Sequence, residues 1–221
     1  INLSFCPERI SQGYGIKELK QIPQIISGNN LKAISISKKV FSNFIKKFIV
    51  ISFEEAEVSK LFSNAWRYIK FSIANEFYKI CIEKKLDFEK IRNSVMKDYP
   101  RAKDFPRSGF TAGPCLFKDT MQLTSYSRDC FSLGHNSMLI NETLPNFLVS
   151  KFKSKNKLKN INIGILGMTF KPDNDDTRES LAFKLKKILE FEGAKVYCSD
   201  IYINEQNKNN KFFVDEKNLL K

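Results

Sequence analysis

An uninterrupted stretch from Glu54 to Leu86, which contains no glycine and no proline, sets the architecture of this chain. Apolar residues recur through it at helical spacing over about seven turns. These residues are Leu61, Ala65, Ile69, Ile73, Phe77 and Ile80. The pattern predicts one long helix, and we expect Phe62, Trp66 and Phe77 to lie in a core or to pack against other helices.

Strand signals flank this helical stretch on both sides. The predicted strands are 1–5, 22–27, 48–53, 161–166 and 195–198. The other predicted helices are 31–45, 88–96, 118–130, 136–153 and 181–192. The strand, loop, helix and strand that follow residue 160 are typical of the start of a βαβ unit. The order of elements predicts an α/β fold with a mostly helical middle.

Composition narrows the class of protein. Apolar residues make up 42% and aromatic residues 13% of the chain, which is typical of folded proteins and not of disordered ones. The net charge of +13 leaves a nucleic-acid binder as an alternative, but the lysines are scattered and form no stripe with aromatics. We therefore expect no nucleic-acid partner, and we expect the basic surface to attract an anionic substrate.

The same sequence gives no sign of a membrane or a metal site. The longest apolar runs are about ten residues, too short to span a bilayer. Five cysteines, an odd number without CxxC spacing, and a single histidine make a zinc site improbable. A reducing cytoplasm is the simplest compartment for such a chain.

The loop at 109–119 carries the clearest chemical signal. Its sequence is Gly-Phe-Thr-Ala-Gly-Pro-Cys-Leu-Phe-Lys-Asp. Cys115 follows glycine and proline residues and precedes a helix, whose first N–H groups favour a thiolate. Lys118 adds positive charge, and Asp119 can hold a water molecule. The pattern predicts a reactive cysteine, with a buried structural cysteine as the alternative.

Charged and polar residues elsewhere can serve such a cysteine. Lys60, Asn64 and Arg67 share one helix face, where a lysine and an asparagine can stabilise an oxyanion, although a solvated stripe is the alternative. Glu8 could act as a general base or orient water, although a lone glutamate in a loop is usually solvated. The polar segment 171–180 follows a strand, where α/β sheets bind ligands. No GxGxxG fingerprint occurs in the chain.

Four motifs occur in a recognisable order. They are Pro7-Glu8-Arg9, Lys60-x-x-x-Asn64, Gly109-Phe-x-x-Gly113-x-Cys115-x-x-Lys118-Asp119 and Phe170-Lys171-Pro-Asp…Asp176-x-Arg178-Glu-Ser. In this order the motifs resemble those of the UDP-glucose/GDP-mannose dehydrogenases. Asp98-Tyr-Pro-Arg101 and Gly134-His135…Asn141-Glu142…Leu144-Pro145 are similar to the branch that oxidises UDP-N-acetylhexosamines.

The resemblance implies an α/β fold with a mostly helical central dimerisation domain and remnants of two Rossmann-like domains on either side. Residues 1–53 would end the NAD-binding domain, 54–153 would form the central domain, and 154–221 would begin the UDP-binding domain. We then expect a truncated chain, which would account for the missing fingerprint. The implied cofactor is NAD, the substrate a UDP-sugar, and the partner a second copy bound through the central helices. A non-catalytic dimerisation module is the alternative.

The resemblance also implies a role for each site residue. Cys115 would attack an aldehyde at C6 of the sugar and form a thiohemiacetal and then a thioester. Lys60 and Asn64 would hold the oxyanion, Asp119 would hold the water, and Glu8 would assist proton transfer. The substrate-binding residues would be Arg9, Ile10, Arg101, Phe110, Gly113 and Lys171, and the NAD-binding residues Lys118 and Arg178.

Overall fold

The computed structural model describes residues 1–11, 13–110, 113–128, 130–203 and 209–220. Along the chain, a three-stranded sheet, a group of helices and a two-stranded sheet follow one another. The α/β fold with a mostly helical centre that the sequence predicted is confirmed.

The N-terminal sheet is built from β1 (Ser4–Phe5), β2 (Gln24–Gly28) and β3 (Phe48–Val50), in the order β1-β2-β3. β1 is antiparallel to β2, and β3 is parallel to it. The helices α1 (Gly15–Gln21) and α2 (Leu31–Phe41) connect the strands. All three strands differ in their bounds from the predicted ones.

The long helix α3 runs from Phe53 to Lys84 and contains 32 residues, so it is about 48 Å long. A reciprocal capping box fixes its start, because Ser52 Oγ accepts the Glu55 N–H and Glu55 Oε2 accepts the Ser52 N–H. Ser52 is therefore a helix cap, which is why β3 ends before it. The helix ends at Lys85, whose φ of 54° is left-handed.

The large apolar residues of α3 do not lie on its buried face, although the sequence pattern suggested that they would. Its buried residues are small or polar for the most part: Ala56, Asn64, Ala65, Tyr68, Ser72, Ala74, Asn75 and Cys81. Large apolar side chains point outward instead: Phe62, Trp66, Ile73, Phe77 and Ile80. Phe62, Trp66 and Phe77 were expected in a core or packed against other helices. At 58%, 59% and 47% exposed they do not lie in a core of one chain.

Among the described residues, four α-helices and a short 3-10 helix (Pro100–Ala102) lie between α3 and β4. The four α-helices are α4 (Phe88–Met96), α5 (Pro114–Tyr126), α6 (Ser132–Glu142) and α7 (Leu144–Lys153). Helices α5 and α6 pack against α3. The predicted helix 136–153 is two helices, because Pro145 has no N–H to donate to the Asn141 carbonyl. The predicted helix 118–130 begins earlier than expected, because Pro114 suits the first helical position.

The C-terminal part contains β4 (Asn162–Leu166), α8 (Leu181–Phe191), β5 (Lys195–Ser199) and the short α9 (Glu216–Leu219). β4 and β5 are parallel. The apolar core of this part includes the fully buried Met168, Val196, Cys198 and Ile203. Since α8 connects two parallel strands, this part has the βαβ order that the sequence predicted.

Candidate functional site

A cleft of about 690 Å³ lies where the N-terminal turn, α3, the start of α5 and the loop after β4 meet. Most of the site residues predicted from the sequence line this cleft. They are Glu8, Arg9, Ile10, Lys60, Asn64, Phe110, Gly113, Cys115, Lys171 and Arg178. Residues more than a hundred positions apart in the chain thus contribute to one cavity.

Cys115 lies in the first turn of α5, directly after Pro114, and its side chain is exposed. The N–H groups of this turn have no carbonyl partner within the helix and favour an anion nearby. The helix is entered through Gly113, whose φ is 108°. A Cβ at Gly113 would lie 2.8 Å from the Phe170 ring, so only glycine fits here.

Asn64 connects the cleft to a buried carboxylate. Its Nδ2 donates to Asp119 Oδ2 at 2.6 Å, and both residues are buried. Asp119 follows Cys115 by one helical turn on α5, so the bond joins α3 to the helix that begins with the thiol. One amide hydrogen of Asn64 is used in this bond, and the other can be donated to a ligand in the cleft.

Lys60 faces Glu8 across the cleft. Lys60 Nζ lies 3.9 Å from Glu8 Oε2, and the lysine side chain is 28% exposed against 63% for the glutamate. The turn that carries Glu8 is anchored, since Gln24 Nε2 donates to the Pro7 carbonyl at 3.0 Å and Arg9 donates to the Pro23 carbonyl. An exposed pair at this distance is weak, so either group can turn to a ligand.

The loop after β4 brings two cations to the cleft. Asp200 holds the start of this loop, because its Oδ2 accepts the Met168 N–H at 2.7 Å and the Thr169 N–H at 3.1 Å. Lys171 follows directly. Arg178 is oriented by three hydrogen bonds that its side chain donates to the Asp176 carboxylate, at 3.0, 3.1 and 2.6 Å.

The charge state of Arg178 follows from its neighbours. The hydrogen bond that Arg178 donates to the Asp176 carboxylate raises the pKa of the Arg178 guanidinium above its ordinary value, with smaller electrostatic contributions from Asp176 and Cys115 in the same direction. A guanidinium stays protonated in proteins, so Arg178 gives the cleft a permanent positive charge.

Three predicted residues do not line the cleft. Asp119 lies behind Asn64, as described above. Lys118 is 70% exposed and its Nζ lies 3.4 Å from Asp119 Oδ1. Arg101 lies over the Tyr99 ring, 4.5 Å from its centroid, and donates to the Tyr99 hydroxyl at 2.7 Å. The structure of one chain does not bring Arg101 to the other site residues.

Other lining residues were not assigned a role from the sequence. Arg67 lines the cleft beside Phe71, one turn beyond Asn64 on the same face of α3. The helical spacing of Lys60, Asn64 and Arg67 was the signal that could have identified it. Phe170 lines the cleft and packs against Gly113, a contact that no sequence pattern reveals.

All five cysteines are free thiols. Within the described ranges of the chain, no group of histidine, cysteine and acidic side chains is arranged to hold a metal ion. Among the helices that the structure describes, none has the length and apolar character needed to cross a bilayer.

Comparison with known proteins identifies two segments. Residues 54–143 match the central domain of the UDP-glucose/GDP-mannose dehydrogenase family, and residues 164–220 match the UDP binding domain of the same family. The UDP-N-acetyl-D-mannosamine dehydrogenase of Methanocaldococcus jannaschii is 30% identical over 93% of this chain and 48% of its own length. The enzyme of the same name from Campylobacter jejuni is 30% identical over 94% of this chain and 50% of its own length.

Solved structures of other proteins are also similar to this chain. The UDP-D-ManNAc dehydrogenase of Pyrococcus horikoshii superposes with a TM-score of 0.82 at 28% identity, over 91% of this chain and 49% of that one. A UDP-glucose dehydrogenase from Pyrobaculum islandicum shares the fold with a TM-score of 0.89 at 23% identity, over 99% and 53% of the two chains. The chain spans about half the length of the curated relatives it matches. The two family matches, which together cover more than half of the residues, show that this chain belongs to the UDP-glucose/GDP-mannose dehydrogenase family.

Proposed function

We propose that the protein to which these residues belong oxidises the C6 alcohol of a UDP-N-acetylhexosamine to a uronic acid, with NAD as the oxidant. The observation that carries this proposal is the cleft itself, in which Cys115 at a helix start opens onto the same space as Lys60 and Asn64. The names of the relatives from M. jannaschii and C. jejuni support the N-acetylated class of sugar.

Cys115 provides covalent catalysis in this proposal. Its sulfur adds to the C6 aldehyde that the first oxidation produces, and a thiohemiacetal results. Loss of a second hydride from the same carbon gives a thioester. Water then attacks the carbonyl carbon, the C–S bond breaks, and the carboxylate and the free thiol are released. A thiolate suits both ends of this sequence, because it is a strong nucleophile and a good leaving group.

Lys60 and Asn64 stabilise the oxygen that becomes negative when sulfur or water adds to C6. Lys60 supplies a charge and Asn64 an N–H, and the bond to Asp119 holds the amide in place. Glu8, next to Lys60, accepts a proton at the cleft. Asp119, which does not line the cleft, acts through its hydrogen bond to Asn64.

The cations of the cleft suit anionic ligands. Arg9, Lys171 and Arg178 all border it, and they can bind the diphosphate of a UDP-sugar or of NAD. Arg178 and the exposed Lys118 are the residues of this chain that would contact NAD. When bound, NAD accepts the hydride released in each oxidation.

We expect the 221 residues alone to reduce NAD at no measurable rate, because they contain no GxGxxG loop to bind the pyrophosphate. Joining the NAD-binding part of the M. jannaschii relative to Ile1 is expected to produce NADH with UDP-N-acetylmannosamine. Absorbance at the NADH wavelength, with UDP-glucose as the comparison substrate, measures both. Normal NAD reduction by the 221 residues alone would contradict the expectation, and a well-folded fusion inactive on every UDP-sugar would contradict the proposed function.

We also propose that the chain forms a homodimer through the outer face of α3. Phe62, Trp66, Ile73, Phe77 and Ile80 lie on one side of this helix and are 45–59% exposed. The opposite side holds the small and polar residues that face α5 and α6. An apolar stripe of this length on a charged protein is typical of an interface, and two-fold pairing is the commonest symmetry.

Phe62→Glu is expected to convert the dimer to a monomer. Each two-fold interface loses two buried phenyl rings and gains two charges, so association should weaken by about a hundredfold or more. Light scattering after size exclusion measures the change. Phe44→Glu is the matched control, because Phe44 is also 58% exposed but lies outside α3. A wild-type chain that stays monomeric at high concentration would contradict the proposed dimer.

A further inference from the structure

A buried asparagine on α3 holds the start of the loop that leads to Cys115. Asn75 is fully buried, three turns along α3 from Asn64. Its Oδ1 accepts the Gly109 N–H at 2.8 Å, and its Nδ2 donates to the Gly109 carbonyl at 3.1 Å. One side-chain amide thus pairs with both backbone groups of one glycine.

A second asparagine fixes the orientation of the first. The Tyr68 carbonyl can only accept, so Asn141 presents its Nδ2 to it, at 3.2 Å. The Oδ1 of Asn141 therefore faces Asn75 and accepts its Nδ2 at 2.9 Å. Gly109 requires the same orientation of the Asn75 amide, because its N–H must meet the Asn75 oxygen and its carbonyl must meet the Asn75 nitrogen. The contacts at Gly109 and at Tyr68, the two ends of this chain of hydrogen bonds, therefore agree.

Gly109 has no side chain through which it could be held, so the hydrogen bonds of its backbone matter. Its φ of 152° favours glycine, and no atom lies within 4 Å of the place where a Cβ would be. The residue is exposed to solvent, so no side-chain packing of its own holds it. The next residue, Phe110, lines the cleft beside Cys115. The position of Phe110, which forms part of the wall of the cleft, therefore depends on where Gly109 is held.

We propose that Asn75 is a positioning residue, which acts through Gly109 to place Phe110 against the substrate in the cleft. It touches no reacting atom itself. The importance of this placement for turnover rests on the proposed function. The hydrogen bonding of Asn75 to Gly109 can be tested without any substrate.

Hydrogen–deuterium exchange resolved to the Gly109 amide tests whether Asn75 holds this residue. In the wild-type chain we expect the Gly109 amide to be protected although the residue is exposed, and this measurement does not depend on any variant folding. In Asn75→Ala its exchange should accelerate at least about tenfold. Ser72→Ala is the matched control, because it removes another buried bond of α3, to Ser137 Oγ at 3.0 Å, without touching Gly109. An unprotected Gly109 amide in the wild type, or equal acceleration in both variants, would overturn the proposal.

Turnover of the fusion with an NAD-binding part tests the consequence. Asn75→Ala should lower kcat by about tenfold to a hundredfold with a much smaller change in KM, because a misplaced wall affects the reacting geometry more than binding. Ser72→Ala should leave both constants unchanged. If exchange accelerates and kcat stays at the wild-type value, the positioning role is refuted while the proposed function stands. A well-folded wild-type fusion that is inactive on every UDP-sugar would instead refute the proposed function, and the exchange result would still decide whether Asn75 holds Gly109.

Discussion

Cys115→Ser should abolish the formation of uronic acid by the protein joined to an NAD-binding part. Serine is a poorer nucleophile than a thiolate, and an ester is hydrolysed more slowly than a thioester, so the second oxidation and the release step both fail. We expect the rate of acid formation to fall on the order of a thousandfold or more. Mass spectrometry of the sugar product measures this directly, and any aldehyde produced by the first oxidation would be detected in the same sample.

Cys130 provides the matched control for this experiment. It is a second exposed thiol, but it lies outside the cleft. Cys130→Ser should leave the rate of acid formation unchanged. Replacing the buried Cys81 or Cys198 by serine should lower the free energy of unfolding by about 0.5–3 kcal/mol. Acid formation at nearly the wild-type rate by Cys115→Ser would exclude the covalent mechanism.

Lys60→Ala should have the next largest effect, a fall in kcat of about a hundredfold to a thousandfold. The lysine charge stabilises the oxygen of the tetrahedral intermediates, and Asn64 alone offers only a neutral donor. The effect should appear in kcat more than in KM, because the negative charge develops only during the reaction. Steady-state kinetics with NAD and the nucleotide sugar measures both constants.

Lys70→Ala separates this role from a general loss of charge. Lys70 lies on the same helix, has a side chain 26% exposed against 28% for Lys60, and likewise pairs with a carboxylate, that of Asp104 at 2.9 Å. It does not line the cleft. Equal losses of activity in the two variants would show that Lys60 acts through the fold and not through the intermediate.

Local patterns were enough to predict much of this fold. The absence of glycine and proline between Glu54 and Leu86 predicted α3, and Phe88–Met96 was predicted with its observed bounds. Periodicity showed that α3 has an apolar stripe, but spacing alone does not say whether a stripe faces the same chain or another one. That is why the sequence left open whether Phe62 and Trp66 lie in a core or pack against other helices, and both are exposed in the structure of one chain.

The candidate site was predictable to the extent that its residues lie in short motifs. Lys60 and Asn64 share a helix face, and the cleft indeed has both in its wall. The bonds between Asn64 and Asp119 and between Asn75 and Gly109 join residues 55 and 34 positions apart, and no local pattern encodes such pairs. Arg101 shows another limit of prediction from motifs. A motif predicted it at the site, whereas in the structure of one chain it contacts Tyr99. The roles of these residues stay predictions until the variants are measured.

The contact between Gly113 and Phe170 has a consequence for motion. The ring comes from the segment after β4, whereas the glycine begins the helix that carries the thiol. A hinge movement that carried the βαβ part away from the helices would have to slide the ring off this glycine, and it would widen the cleft beside the thiol, which is already exposed to solvent. Widening of the cleft and loss of the contact at the start of the thiol-bearing helix are therefore one mechanical event.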